Sequence, residues 1–349
     1  MTVCVLHVLP HRGGGAETFI DTLEGMPGYR HERVALSQSR RPLAAGPSIL
    51  AGYRRLAARA RRADLIHAHG DMAAVLSLAL MLQTKAVWNS HGLHFLRRSL
   101  GMRRRLFAMG LRAVMTRSAW TICSSTSEHA ELSEVASARA VHRLVVVDNA
   151  VREPEPPPPS VLDALRRSLD VGADELSVLF VGQLEPRKGV LDAVEAVRLA
   201  RRRHAGMVLL VAGEGPLADT VAAAGEGIRL LGHRADLEPL YAVADVFLMP
   251  SEREGQSFAV MESMVRGLPT VVSDAPGNRE AVEGAGVLVP YGDPGALAEV
   301  LVRLARDPDE RARLGAAARA RAQSRFTLAR FQSRMAELYE AALTHPQGA

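Results

Sequence analysis

Short apolar runs alternate with longer segments of helical periodicity along nearly the whole chain, which predicts parallel sheets covered by helices. In the first part the strand-like runs fall near 3–9, 33–37, 64–67, 86–90, 119–123 and 143–147. The second series comprises SVLFVG (177–182), MVLLVAG (207–213), IRLLG (228–232), DVFLMP (245–250), PTVVSD (269–274) and GVLVP (286–290). Between them stands REPEPPPPS (152–160). Proline lacks an amide donor and resists both sheet and helix, so this stretch reads as a linker. From about residue 293 onward the chain is helical in pattern and rich in Ala and Arg. MAAVLSLALML (72–82) is too short to cross a bilayer as a helix and follows a candidate cap at Asp71.

Each series is the pattern of one doubly wound α/β domain, and 349 residues exceed the usual size of a single domain. The expected division is an N-terminal Rossmann-like domain over 1–155 and a second over 160–325. FTLARFQSRMAELYEAAL (326–343) is an amphipathic closing helix, which extends the last segment over 326–345. An apolar content of 48% with 23% charged residues excludes a disordered chain. Cys4 and Cys123 sit in apolar runs, as buried free thiols of a reducing compartment do, and two cysteines supply no metal-ligand spacing. The N-terminus shows no signal-peptide pattern, so a soluble, cytoplasmic protein is expected. Residues 1–150 carry 20 Lys+Arg against 10 Asp+Glu, out of 43 and 38 in the chain, so the two halves differ in sign. A basic first half suggests an anionic partner.

Ligands of doubly wound sheets bind beyond the carboxyl ends of the strands, so the loops there are where chemistry is expected. HRGGGAET (11–18) follows the first strand; its glycines admit a ligand close to the backbone, as a tight strand-to-helix turn would also require. NSHGLHF (89–95) places His91 after the fourth strand, where an imidazole can exchange a hydrogen bond with a hydroxyl; His67, His69 and His94 compete for that assignment. GQLEPRKGV (182–190) sets Arg187 and Lys188 before a glycine and an amphipathic helix, an arrangement suited to a diphosphate. AGEGP (212–216) reads mainly as a turn.

Within EREGQSFAVMESM (252–264), Glu254 and Glu262 stand eight positions apart. A helix is expected from an N-cap at Ser257 to Arg266, ahead of Gly267 and Pro269. Phe258, Met261 and Val265 share its apolar face with Glu262 beside them, about 7–8 Å along the helix, while Glu254 stays in the preceding loop. Surface charge is the ordinary reading of two glutamates. The other is a carboxylate on a ribose diol and a second on another sugar, with helix amides toward a diphosphate.

The order G-G-x-E near the N-terminus, His-Gly after the fourth strand, G-x-L-x-x-x-K-G, G-E-G-P and E-x7-E resembles the retaining, Leloir-type glycosyltransferases of family 4, with the GT-B fold. The resemblance covers nearly the whole chain and is most specific over 180–190 and 230–274. It implies two Rossmann-like domains facing a central cleft, with the last helix crossing back to the first domain. It also implies a nucleoside-diphosphate-sugar donor, UDP- or GDP-linked, and transfer with retention to a hydroxyl of a glycan, lipid-linked or small-molecule acceptor. Glu262 would take the ribose hydroxyls, Lys188 the diphosphate and Glu254 the transferred sugar. Amides of Gly255, Gln256, Ser257 and Phe258 would line the pocket. Gly14 and Gly15 would approach the diphosphate, His91 would lie near the reacting carbon or acceptor, and the base near His233 and Arg234. Where the family commonly has arginine in G-R-L this chain has Gln183, with Arg187 as the available substitute cation.

No cofactor or metal is expected, because cations and amides can hold a diphosphate and the D-x-D string, DPD (307–309), falls between helical stretches. An epimerase on the same scaffold would convert the donor without an acceptor, and a non-catalytic binding protein would hold it without turnover. RRSLGMRRRLFAMGLRAVMTR (97–117) combines six arginines ahead of its terminal residue with Leu106, Phe107, Met109 and Leu111. It suits an anionic membrane surface, or else a solvated helix face. Aromatic residues are too sparse for nucleic-acid binding.

Overall fold

The computed structural model describes residues 2–11, 14–37, 46–172 and 174–344, the side chains of 46–49 excepted. The chain forms two compact units: the described residues of Met1–Ala150 with those of Leu328–Ala349, and those of Val151–Thr327. Each is built on a six-stranded parallel sheet with helices between its strands.

In the first unit the strands are β1 (Val3–His11), β2 (Tyr29–Ser37), β3 (Leu65–His69), β4 (Lys85–Asn89), β5 (Trp120–Cys123) and β6 (Leu144–Val146). Their spatial order is β2-β1-β3-β4-β5-β6. The direction of winding reverses between β1 and β3, as in flavodoxin-like sheets. β3 is buried at every position, as befits a strand covered on both faces. Helix Leu328–Thr344 belongs to this unit; its Phe331, Met335, Leu338 and Tyr339 are buried, and Gln332 donates to the Thr22 carbonyl at 2.8 Å.

The second unit contains β7 (Leu176–Val181), β8 (Met207–Ala212), β9 (Ile228–Gly232), β10 (Val246–Met249), β11 (Thr270–Ser273) and β12 (Val287–Val289). Their order is β12-β11-β10-β7-β8-β9, so the reversal falls between β7 and β10 after three strands rather than two. This is the dinucleotide-binding order. β7, β8, β10 and β11 are buried throughout, while the edge strands β9 and β12 are only partly so.

Three local expectations change. Asp71 is not the cap of its own helix, whose N-cap is Gly70; its carboxylate accepts instead from the Phe95 and Leu96 amides at 2.7 and 2.8 Å, closing the start of helix His94–Arg98. Ser257 occupies the N-cap of helix Phe258–Val265, but its side chain makes no capping bond. The proline-rich stretch is extended only to Pro158, and helix Pro159–Ser168 begins inside it, since proline is tolerated in a first helical turn. Asp307 of DPD caps helix Pro308–Arg325 by accepting from the Glu310 amide at 2.8 Å. Cys4 and Cys123 are buried free thiols. No helix among the described residues is long and apolar enough to cross a membrane.

Candidate functional site

In the second unit, β7 and β10 lie side by side where the winding reverses, so the loops beyond their carboxyl ends flank one crevice. After β7 the chain runs through Gln183 into a single 3-10 turn, Pro186–Lys188, then Gly189 and helix Val190–Arg201. After β10 it runs from Pro250 to Ser257. The two loops are stitched together: the Glu252 amide donates to the Arg187 carbonyl at 2.8 Å. Gly189 has φ +70°, and a Cβ there would lie 2.0 Å from the Pro250 carbonyl oxygen, so only glycine permits this approach.

That stitching brings together the two residues singled out on separate motifs. Lys188 Nζ donates to Glu254 Oε1 at 2.7 Å and Oε2 at 3.0 Å. Their side chains are 15% and 9% exposed, so the pair is largely withdrawn from water and each charge depends on the other. Helix Pro276–Val282 backs the loop. A Cβ on Gly277 would stand 2.1 Å from the Gly255 carbonyl oxygen, and Asn278 Nδ2 donates to Ser251 Oγ at 3.1 Å and Ser273 Oγ at 3.0 Å. Gln256 is buried, with Gly255, Ser257 and Phe258 half-buried around the start of the helix.

Glu262, one turn into that helix, accepts from the buried Tyr241 hydroxyl at 2.9 Å. Arg266 donates to the Glu262 carbonyl at 2.7 Å, pairs with Glu238, and lies 4.5 Å over the Tyr241 ring. Burial raises the Glu262 carboxyl above the usual range, opposed by the Tyr241 hydrogen bond and the Arg266 charge. Burial, then Glu262, push the Tyr241 phenol well above its ordinary value, so it stays a donor. Arg187 is engaged by Glu185, Nε to Oε2 at 2.9 Å, and so stands as a paired cation rather than a free one. His233 and Arg234 are exposed in the loop after the edge strand β9.

In the first unit, Gly14 (φ +89°) is the N-cap and Gly15 the first residue of helix Gly15–Leu23; both are exposed, and Arg12 and Gly13 of the same loop lie outside the described residues. His91 follows β4 with φ 47°, in the left-handed region that few non-glycine residues adopt. Its ring is fixed there by a 2.8 Å hydrogen bond between Nε2 and His69 Nδ1 and by the edge of Phe19, 5.1 Å between centroids. Burial, then His94, lower its proton affinity to a pKa of about 3, so it is a neutral imidazole at physiological pH. His94 itself is exposed, whereas His67 and His69 are fully buried.

Tyr241, Gly277 and Asn278 carry no local sequence signal that ties them to the site. DAPGNRE (274–280) carried a proline–glycine turn signal, but which backbone that glycine faces is set by tertiary contact alone.

Comparison with known proteins gives matching families for both units. Residues 7–153 match the family described as Glycosyltransferase Family 4, and residues 175–307 that described as Glycosyl transferases group 1. EpsD of Bacillus subtilis (strain 168), named as a glycosyltransferase, is 26% identical over 335 residues, 90% of this chain and 86% of that one. The D-inositol 3-phosphate glycosyltransferase of Thermobispora bispora is 33% identical over 204 residues, 53% of this chain; the match spans less than half of that protein, 47%. The structure of Anabaena HepE in complex with UDP and glucose superposes with a TM-score of 0.83 at 19% identity, over 97% of this chain and all of that one. With its first unit matching the Family 4 model, its second the group 1 model and a fold close to that of GT-B glycosyltransferases, the protein is a glycosyltransferase.

Proposed function

We propose that the protein moves a hexose from a nucleoside-diphosphate sugar, UDP- or GDP-linked, to an acceptor hydroxyl with retention of anomeric configuration. The observation that carries this reading is the Lys188–Glu254 pair at the β7/β10 crevice, 2.7 Å apart and largely desolvated. Lys188 meets the diphosphate and stabilises the charge that develops as it leaves, together with amides of residues 255–258; no metal ion is required for that step. Glu254 orients hydroxyls of the transferred sugar, and Glu262, steadied by Tyr241 and Arg266, takes the ribose diol. In the first unit His91 offers a neutral imidazole to an acceptor hydroxyl.

Retention follows from a front-face displacement, in which the departing phosphate oxygen accepts the acceptor proton; Glu254 is committed to Lys188, which argues against a free nucleophile. HepE, crystallised with UDP and glucose, supports a UDP-linked donor as the first to test. Glu254→Ala assayed for nucleoside diphosphate release with the correct donor is expected to lose turnover; near-normal turnover refutes the assignment.

The acceptor side extends to a membrane surface. Leu100, Met102, Leu106 and Met109 are exposed on and just before helix Gly101–Arg117, beside exposed Arg98, Arg103, Arg104 and Arg105. Apolar side chains framed by cations suit the cytoplasmic face of an anionic bilayer and a lipid-linked acceptor. Co-sedimentation with vesicles containing phosphatidylglycerol, reversed by salt, is the expected result; no binding at low salt removes this part.

A further inference from the structure

The first unit carries a cluster for which sugar transfer has no use. His7 on β1 is the register partner of His67 on β3, and His69 stands two residues further along β3 on the same face. All three imidazoles are fully buried, and one ring nitrogen from each lies within 4.8 Å of the others.

Each ring has a partner that aims it. His67 Nδ1 is 2.7 Å from the Tyr339 hydroxyl, His69 Nδ1 is 2.8 Å from His91 Nε2, and His7 Nε2 is 2.9 Å from His31 Nδ1. Metal-binding histidines are oriented by just such contacts on the nitrogen that does not bind. The nitrogens that remain are His67 Nε2, buried with no hydrogen-bond partner, and His7 Nδ1 with His69 Nε2, which face each other at 2.8 Å. Two imidazole lone pairs at that separation require a proton or a cation between them.

We propose that His7, His67 and His69 bind a first-row transition-metal ion of the zinc and copper class. The ligand set is all imidazole, which selects these ions over magnesium or calcium, whose sites are built from oxygen. Burial depresses the proton affinity of all three rings, so they meet the ion as neutral ligands. Zinc–nitrogen bonds of about 2.0–2.1 Å in tetrahedral geometry set ligand nitrogens roughly 3.3 Å apart, so His7 and His69 need to part by only about half an ångström. The proton they share moves to an outer nitrogen, toward His91 or His31, and none leaves the protein. The cluster lies against Phe19 and helix Leu328–Thr344, so the ion is enclosed as the unit folds and joins β1, β3 and, through Tyr339, the closing helix.

The inference is independent of the donor-site reading and is tested without activity. The full chain, lacking any affinity histidine tag, is unfolded with chelator, refolded with and without Zn2+, dialysed and analysed by elemental mass spectrometry. The expected result is one zinc per chain and an unfolding midpoint raised by about 5 °C. His67→Gln should lose both, with unchanged far-UV circular dichroism, while His142→Gln keeps both. Less than about a tenth of a zinc per wild-type chain, or full zinc in His67→Gln, overturns the proposal. Should His67→Gln not fold, Co2+ in the refolded wild type decides. Strong visible absorption of low-coordinate nitrogen ligation supports the site, and the weak spectrum of hydrated cobalt refutes it.

Discussion

The two sheets bury different things. In the second unit the central strands β7, β8 and β10 bury only apolar side chains apart from Ser177 at the start of β7. Its candidate chemistry begins where the strands end, at Lys188 and Glu254. In the first unit the central strands bury His7, His67 and His69, and a chain of ring contacts runs on to His91 in a loop and His31 on β2. The second sheet is an inert scaffold under a reactive rim. In the first, the residue nearest the proposed acceptor is continuous with the core, so its stability and its chemistry are coupled.

The sharpest way to break this contrast is at the rim. Lys188→Ala should lower the rate of nucleoside diphosphate release by about 10²–10³-fold, the usual cost of losing one group that stabilises developing charge. The apolar sheet beneath should leave the far-UV spectrum unchanged. Steady-state kinetics with the matching donor checks it; a loss under tenfold would place the diphosphate elsewhere.

The stitching of the two loops is next. Gly189→Ala would force a side chain into the left-handed region and against the Pro250 carbonyl, and should cost at least about 1–3 kcal/mol in chemical denaturation. A neutral result would mean that the loops are not held together as described.

The first unit should then prove the acid-labile one. His7, His67 and His69 have pKa values pushed well below the ordinary 6.5 by burial, and His91 is lowered to about 3. The unfolded chain takes up protons at these sites before the folded one does. The stability they contribute is therefore complete above about pH 6.5 and falls as pH drops from there toward the folded-state values, by up to about 1.4 kcal/mol per pH unit for each histidine. Both tryptophans, Trp88 and Trp120, lie in the first unit, so their fluorescence reports on it alone. In the metal-free protein the urea midpoint seen by fluorescence should drop between pH 7 and pH 5; a flat profile contradicts the assignment. The smallest effect belongs to the surface: Leu106→Asp should change stability by less than about 0.5 kcal/mol while weakening vesicle binding.

The sequence made the strand series and the loop motifs legible because apolar periodicity and glycine turns are local signals. Glu262 and Lys188 could be singled out for the same reason, each standing at a fixed offset from a strand end or a cap. What could not be read was pairing across the chain. Lys188 and Glu254 are 66 residues apart and meet only because β7 and β10 are neighbours. His7 and His67 are 60 residues apart and meet only through the β1–β3 register. Cysteine arithmetic has no counterpart for histidines scattered over two strands, and the glycine at 277 shows its purpose only against the Gly255 backbone.

The central claim is that Lys188 holds the diphosphate and Glu254 the sugar of one donor. Calorimetric titration of wild type, Lys188→Ala and Glu254→Gln with UDP-glucose and with UDP, repeated with the GDP pair, tests it most directly. Lys188→Ala should weaken both the sugar nucleotide and the bare diphosphate, whereas Glu254→Gln should weaken only the sugar nucleotide. Equal affinities for both ligands across all three proteins would contradict the account.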